Sequence, residues 1–278
     1  MNWNDALTVL PPQEQHKAQA LYARLAVMDS LMVAFSGGVD SGLLCAVAYA
    51  ALGDRLTAVT VRSPVETPGD SDTAASLAQQ VGFRHELVDF DDFANPQFVA
   101  NPPDRCYHCK LARLHAIRRM AAEAGVAWVA EGSNADDAHD YRPGARAVAE
   151  LGVRSPLAEV GMTKAEIRAL ARALGLVIAD RPSAPCLATR FPYGSPVTKQ
   201  GLTQVAQGEA FLGARGFRPV RVRHFGDTAR LEVAPDAVQR LAGLREEVVP
   251  FFKTLGFTYI VIDLAGYRSG SLNEGMQA

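Results

Sequence analysis

The chain has 278 residues, a length that suits two domains better than one. Apolar residues make up 48% and charged residues 21%, which excludes wholesale disorder. A net charge of -2 excludes a global attraction to nucleic acid or to an anionic membrane, and only a local basic patch could supply one.

The first ten residues carry no basic start and no apolar core, so they do not read as a signal peptide. The most apolar stretch, 43–52, is far shorter than the roughly 18 residues a bilayer span needs. A cytoplasmic location, with no membrane partner, is the expectation. In a cytosolic chain the four cysteines point to metal binding or catalysis more than to disulfides.

In chain order, apolar residues at Ala18, Leu21, Leu25 and Met28 predict a helix over 13–28 behind Pro11 and Pro12. The short apolar run 31–35 predicts a buried strand. A glycine-rich loop follows, then a helix to about residue 52 that Gly53 closes. Strand 56–61, helix 71–81 with Gly82 as its stop, and strand 83–88 come next. Helix 108–124, stopped by Gly125, leads into strand 126–130. Helix 163–174 opens on a capping box, Thr163 with Glu166. This alternation predicts an α/β fold, a doubly wound parallel sheet with helices on both faces.

Beyond Arg181 the style changes to proline-rich loops, 181–186 and 191–196. Helix 202–214, strands 220–224 and 229–233, helices 235–241 and 247–255 and strand 259–263 predict a smaller α+β domain. The expected division is 1–190 for the nucleotide domain and 191–278 for a substrate-binding or oligomerisation domain.

Ser36-Gly37-Gly38-Val39-Asp40-Ser41 lies between a predicted strand and a predicted helix. The glycines let the backbone turn tightly and approach a ligand, and the helix N-terminus adds unpaired N–H donors. Ser36 and Ser41 offer hydroxyls, and Asp40 a ligand for Mg²⁺. No Gly-Lys-Ser/Thr follows, so this is not a Walker A loop, and it is not GxGxxG. A plain strand-to-helix turn is the alternative. The hexad resembles the PP-loop of the N-type ATP pyrophosphatases, a superfamily with GMP, NAD and asparagine synthetases and tRNA-thiolating enzymes. That likeness implies cleavage of ATP to AMP and pyrophosphate with adenylation of an acceptor oxygen.

Cys106-Tyr107-His108-Cys109 is a CxxC at a predicted helix start, and Cys186 lies far along the chain. Brought together, three thiolates suit a [4Fe-4S] cluster with one open iron. Structural zinc, with His108 or His115 as a further ligand, and an uncoordinated or redox trio are the alternatives. Cys45, mid-helix in an apolar stretch, reads as core.

Most of the chain resembles one PP-loop family, the LarE sulfurtransferases. Besides the hexad, the likeness is carried by Glu131-Gly132-Ser133-Asn134-Ala135-Asp136-Asp137, Asp140-Tyr141-Arg142-Pro143-Gly144, Cys186-Leu187-Ala188-Thr189-Arg190 and Gly266-Tyr267-Arg268-Ser269-Gly270. It implies ATP-dependent conversion of the carboxylates of pyridinium-3,5-biscarboxylate mononucleotide to thiocarboxylates, for a nickel-pincer cofactor. One form of the family gives up the sulfur of a single cysteine, matching Cys186. The other holds a [4Fe-4S] cluster on three, matching Cys106, Cys109 and Cys186, and needs a sulfide supplier. The family also implies a homo-oligomer, such as a hexamer.

The expected ATP site is Ser36, Gly37, Gly38, Asp40, Ser41 and Gly132, with Mg²⁺ on Asp40. Arg221 and Arg223 alternate onto one strand face, which by spacing alone is as well read as solvated. The resemblance implies that they meet the mononucleotide phosphate. Arg142 and Arg190 are candidates for phosphate or carboxylate. Asp136 and Asp137 read as Mg²⁺ or ribose ligands or as turn formers. Glu209 and Glu232 read as partners of a base or of Mg²⁺, or as ordinary surface charge. A tRNA thiolase would need an RNA surface, and neither a basic run nor paired zinc-knuckle motifs are present. An amidating enzyme would need no cysteine trio. A non-enzymatic iron–sulfur protein would show no ATP–pyrophosphate exchange.

Overall fold

In the computed structural model, which describes residues 3–139, 142–182, 185–268 and 270–272, four strands form a parallel sheet. They are β1 (Leu31–Ala34), β2 (Leu56–Arg62), β3 (Arg84–Asp89) and β4 (Trp128–Ala130), in the order β3-β2-β1-β4. The helices of this half are α1 (Trp3–Thr8), α2 (Pro12–Ala26), α3 (Val39–Leu52), α4 (Asp70–Val81), α6 (Arg105–Glu123), α7 (Gly144–Glu150), α8 (Pro156–Glu159) and α9 (Lys164–Ala173); α5 (Pro96–Ala100) falls between α4 and α6 in the chain but belongs to the other compact unit.

β1 reads as one unbroken apolar run because both of its faces are covered. Leu31 and Val33 enter a large core with Leu21 and Leu25 of α2, Leu43 and Leu44 of α3 and Ile167 and Leu170 of α9. Met32 points the other way, toward Ile117 and Ala121 of α6. The sheet is therefore doubly wound, as its strand–helix alternation predicts. Cys45 lies at the centre of the large core, where burial pushes its thiol up and keeps it protonated.

The remaining elements are α10 (Lys199–Ala214), β5 (Val220–Phe225), β6 (Thr228–Val233), α11 (Val238–Gly243), α12 (Arg245–Thr254) and β7 (Tyr259–Ile262). β5 pairs antiparallel with β6, and β7 joins β6 in parallel. Val222, Leu231 and Val233 are buried, as are Leu202, Val205 and Leu212 of α10. The predicted helix 235–241 is split, a 3₁₀ turn at Pro235–Ala237 preceding α11.

The chain forms two compact units. One holds the described residues up to Ser63, then Pro68–Asp91, then 104–182. The other holds Pro64–Thr67, Asp92–Pro103 and the described residues from Pro185 onward. The 92–103 segment is fastened within its unit by Asn101. This residue has a left-handed backbone, and its buried amide donates to the carbonyls of Pro192 (2.7 Å) and Ser195 (2.9 Å).

Candidate functional site

The glycine loop occupies the carboxyl end of β1, where Gly38 caps α3. Gly37 has φ +71°, and a Cβ there would stand 2.9 Å from the carbonyl of Asp70. Only glycine fits without strain. The Ser36 and Ser41 hydroxyls are 3.0 Å apart, and the Ser36 N–H donates to Ser41 Oγ at 3.2 Å. The loop thus holds a compact turn whose hydroxyls and helix N-terminus can meet a polyphosphate.

Gly132, just beyond β4, presses against this loop. A Cβ on it would lie 2.7 Å from the Ser41 nitrogen. Asp40 lies against the Lys164 ammonium, and the Asn134 amide donates to it at 3.5 Å. Lys164 is the first residue of α9, and its backbone N–H donates to Asp136 at 2.8 Å. A lysine at a helix N-terminus opposes the helix dipole, so its pairing with Asp40 is what favours it there. That misplaced charge is the signal by which Lys164 could have been found in the sequence. Arg181 was missed too. It donates to the Gly37 carbonyl at 2.9 Å and to Asp70 at 2.5 Å, fixing the loop from behind.

Asp136 and Asp137 both shape the turn after β4. Asp137 accepts from the Asn134 N–H at 3.1 Å and pairs with Arg142 at 2.9 Å. Arg142 is half-exposed beyond that pair. Its neighbours Asp140 and Tyr141 lie outside the described residues, as do Ser183, Ala184 and Ser269.

Cys106 and Cys109 are the second and fifth residues of α6, which begins three residues earlier than the sequence pattern predicts. The i, i+3 spacing puts both thiols on one helix face. Cys106 is exposed and Cys109 half-buried. The Arg105 guanidinium is 4.0 Å from Cys106 Sγ. The next residue, Lys110, pairs at 2.8 Å with Glu131, which also accepts from the hydroxyls of Ser155 (2.5 Å) and Ser133 (2.9 Å). Burial pushes the Glu131 carboxyl up, but the Lys110 charge and these hydrogen bonds outweigh it and hold it below the usual range. A line of contacts therefore runs from the glycine loop through Gly132 and Glu131 to the helix that bears the two cysteines.

In the second unit, Cys186 is half-buried and caps a 3₁₀ turn, Leu187–Arg190. Arg190 is buried. It forms a fork with Glu209, both contacts 2.8 Å. Arg221 and Arg223 on β5 face Glu232 and Arg230 across the β5–β6 ladder, so all four side chains share a sheet face. Arg223 is buried, with Glu232 at 2.8 Å and the Thr189 carbonyl at 2.8 Å. Glu232 also accepts from Arg230 at 2.8 Å. Arg221 lies 5.3 Å from the Tyr267 ring centroid, and its Nη1 donates to its neighbour's carbonyl at 2.7 Å. Burial lowers the Arg221 pKa, and the charges of Arg190 and Arg223 lower it further against the opposing pull of Glu209 and Tyr267. An anion near Arg221 would relieve that strain.

Among the described residues, no three His, Cys, Asp or Glu side chains are grouped as a metal centre. Cys106 and Cys109 belong to the first unit and Cys186 to the second. The donor chemistry of three thiols, none of them in a disulfide, suits a cluster with three thiolate ligands. Asp40, an oxygen donor at the glycine loop, suits Mg²⁺.

The asparagine synthase family model matches residues 18–150, the stretch that contains the glycine loop, Gly132 and the CxxC. An uncharacterized protein of Synechocystis sp. is 42% identical over 89% of this chain and 93% of its own length. The pyridinium-3,5-bisthiocarboxylic acid mononucleotide synthase of Lactiplantibacillus plantarum is 36% identical over 93% of this chain and 94% of its own. A tRNA-specific 2-thiouridylase of Paracoccus denitrificans is 26% identical over 61% of this chain and 54% of its own.

Proposed function

The chain belongs to the LarE family of PP-loop enzymes, and from that premise we propose that it thiolates the carboxylates of pyridinium-3,5-biscarboxylate mononucleotide at the expense of ATP. The observation that carries the reading is the link, through Gly132 and Glu131, between the glycine loop and the helix that bears Cys106 and Cys109.

ATP would bind with its β- and γ-phosphates on residues 36–41, where backbone N–H groups and the Ser36 and Ser41 hydroxyls meet them. Asp40 would hold Mg²⁺, which draws charge from the leaving pyrophosphate. Lys164, released from Asp40, would be free to meet a phosphate oxygen. A substrate carboxylate oxygen attacks the α-phosphorus, the bond to the bridging β-phosphate oxygen breaks, and an acyl adenylate and pyrophosphate form. Activation is needed because oxide is a poor leaving group and AMP a good one. A sulfur nucleophile then adds to the acyl carbon, AMP departs, and the thiocarboxylate remains. Two rounds would treat both carboxylates. Arg221, Arg223 and Arg142 would hold the phosphate and the carboxylates.

Cys106, Cys109 and Cys186 would hold a [4Fe-4S] cluster. Such a cluster keeps one iron open for a sulfide, which is the chemistry a reusable sulfur donor requires. The unit with the parallel sheet would activate the carboxylate, and the unit with β5–β7, whose last segment begins at Pro185 rather than at residue 191, would bind substrate and serve oligomerisation.

Anaerobically purified protein, assayed for iron and acid-labile sulfide and then by mass spectrometry after turnover, tests this. The cluster reading expects about four irons per chain and an intact Cys186. Conversion of Cys186 to dehydroalanine in each molecule would replace it with sacrificial donation, and thiolation of tRNA instead would replace the substrate.

A further inference from the structure

We propose that Arg190 is a positioning residue for Cys186: it clamps the turn that carries the thiol, and Glu209 holds the clamp. The inference rests on the reading that Cys186 takes part in sulfur transfer.

Arg190 is 1% exposed, and all three of its guanidinium nitrogens bond within the chain. Nη1 donates to the carbonyls of Pro185 (2.9 Å) and Cys186 (3.2 Å) and to Thr189 Oγ1 (2.8 Å). The Thr189 hydroxyl in turn donates to the Cys186 carbonyl at 2.7 Å. With the Thr189 N–H at 3.0 Å, the backbone oxygen of the thiol-bearing residue therefore accepts three times. On its other side the guanidinium grips both oxygens of Glu209 from α10. Glu209 Oε1 also accepts from the Val222 N–H of β5 at 3.0 Å. The turn at Cys186 is thus referred, through one side chain, to a helix and a strand of the small domain.

Stability alone does not explain this arrangement. A buried arginine–carboxylate pair carries a desolvation cost, and apolar side chains of equal volume are as stabilising or more so. What the fork supplies is direction. It fixes a backbone that proline-rich sequence on either side would leave loosely determined, at the residue whose sulfur must meet a reacting centre. A displacement of about 1 Å at such a centre can cost roughly a hundredfold in rate.

Two variants test the clamp. Arg190→Lys keeps a cation against Glu209 but cannot bridge the two carbonyls. Thr189→Val removes the hydroxyl's bond to the Cys186 carbonyl and its contact with Arg190 Nη1, but leaves the Arg190–Glu209 fork in place, so it answers even if Arg190→Lys fails to fold. Each is compared with the natural chain for substrate-dependent ATP–pyrophosphate exchange, KM, kcat for thiocarboxylate formation, and the rate of Cys186 alkylation by iodoacetamide. The proposal expects exchange and KM to stay within about twofold, kcat to fall roughly tenfold or more in Arg190→Lys and less in Thr189→Val, and alkylation to change severalfold. Exchange and kcat falling in equal proportion, or alkylation unchanged in both variants, would overturn it. Were the natural chain itself to form no thiocarboxylate, the proposed activity would fail separately, and the alkylation rates would still decide the clamp.

Discussion

The glycine loop and the arginine face of the small sheet both gather positive charge, by opposite means. At residues 36–41 the charge is mostly backbone: N–H groups, a helix N-terminus and two hydroxyls, with Lys164 already engaged by Asp40. On the β5–β6 face the charge is guanidinium, and Arg223 and Arg230 are both tied to Glu232. A loop of the first kind needs only close packing around glycines. A face of the second kind needs carboxylates to keep its cations apart and oriented. The two should therefore fail differently when altered.

The largest effect should come from the loop's packing. In Gly132→Ala a methyl group would stand 2.7 Å from the Ser41 nitrogen, against backbone that cannot yield cheaply. ATP–pyrophosphate exchange should fall roughly a hundredfold or more, with the melting temperature moving only a few degrees. Equal exchange rates would show that the loop does not need this contact. On the sheet face the order reverses. Glu232→Ala strips the buried partner from Arg223 and Arg230, and should cost about 3–5 kcal/mol by denaturant titration. A loss below about 1 kcal/mol would mean that the face is not held by that pair.

A smaller effect is expected between these extremes, at Glu131. Folding lowers its pKa, so its contribution is complete above the unfolded carboxylate range and is lost as pH falls through the lower folded value. Glu131→Gln should cost about 1–3 kcal/mol near neutral pH and flatten the fall in stability below about pH 4.5. A parallel pH profile in the variant would contradict the assignment.

The same contrast explains what was legible in the sequence. The parallel sheet and the glycine loop could be read because strand, glycines and helix are consecutive, and so could the capping box of Thr163 and Glu166. Lys110 could not, because Glu131 stands 21 residues away and on a different element. Arg190 was legible as important but not in direction: its partner Glu209 is 19 residues on, and spacing alone does not say whether a guanidinium faces a ligand or its own chain. Arg230 drew no notice, since a single charge on a strand looks like solvated surface until Glu232 is seen beneath it. The cysteine trio is legible from the CxxC spacing and from the family resemblance. Its first two members prove to share a helical turn that starts earlier than the apolar pattern suggests, because Arg105 opens it as a buried residue.

The most direct test of the account is the stoichiometry of a single-substrate reaction. Anaerobic protein supplied with ATP, Mg²⁺, sulfide and pyridinium-3,5-biscarboxylate mononucleotide should release AMP and pyrophosphate in equal amounts, one of each for every thiocarboxylate formed. Cys186→Ala should still exchange pyrophosphate into ATP while forming no thiocarboxylate. Release of ADP and phosphate, or thiocarboxylate formation by Cys186→Ala at the natural rate, would contradict it.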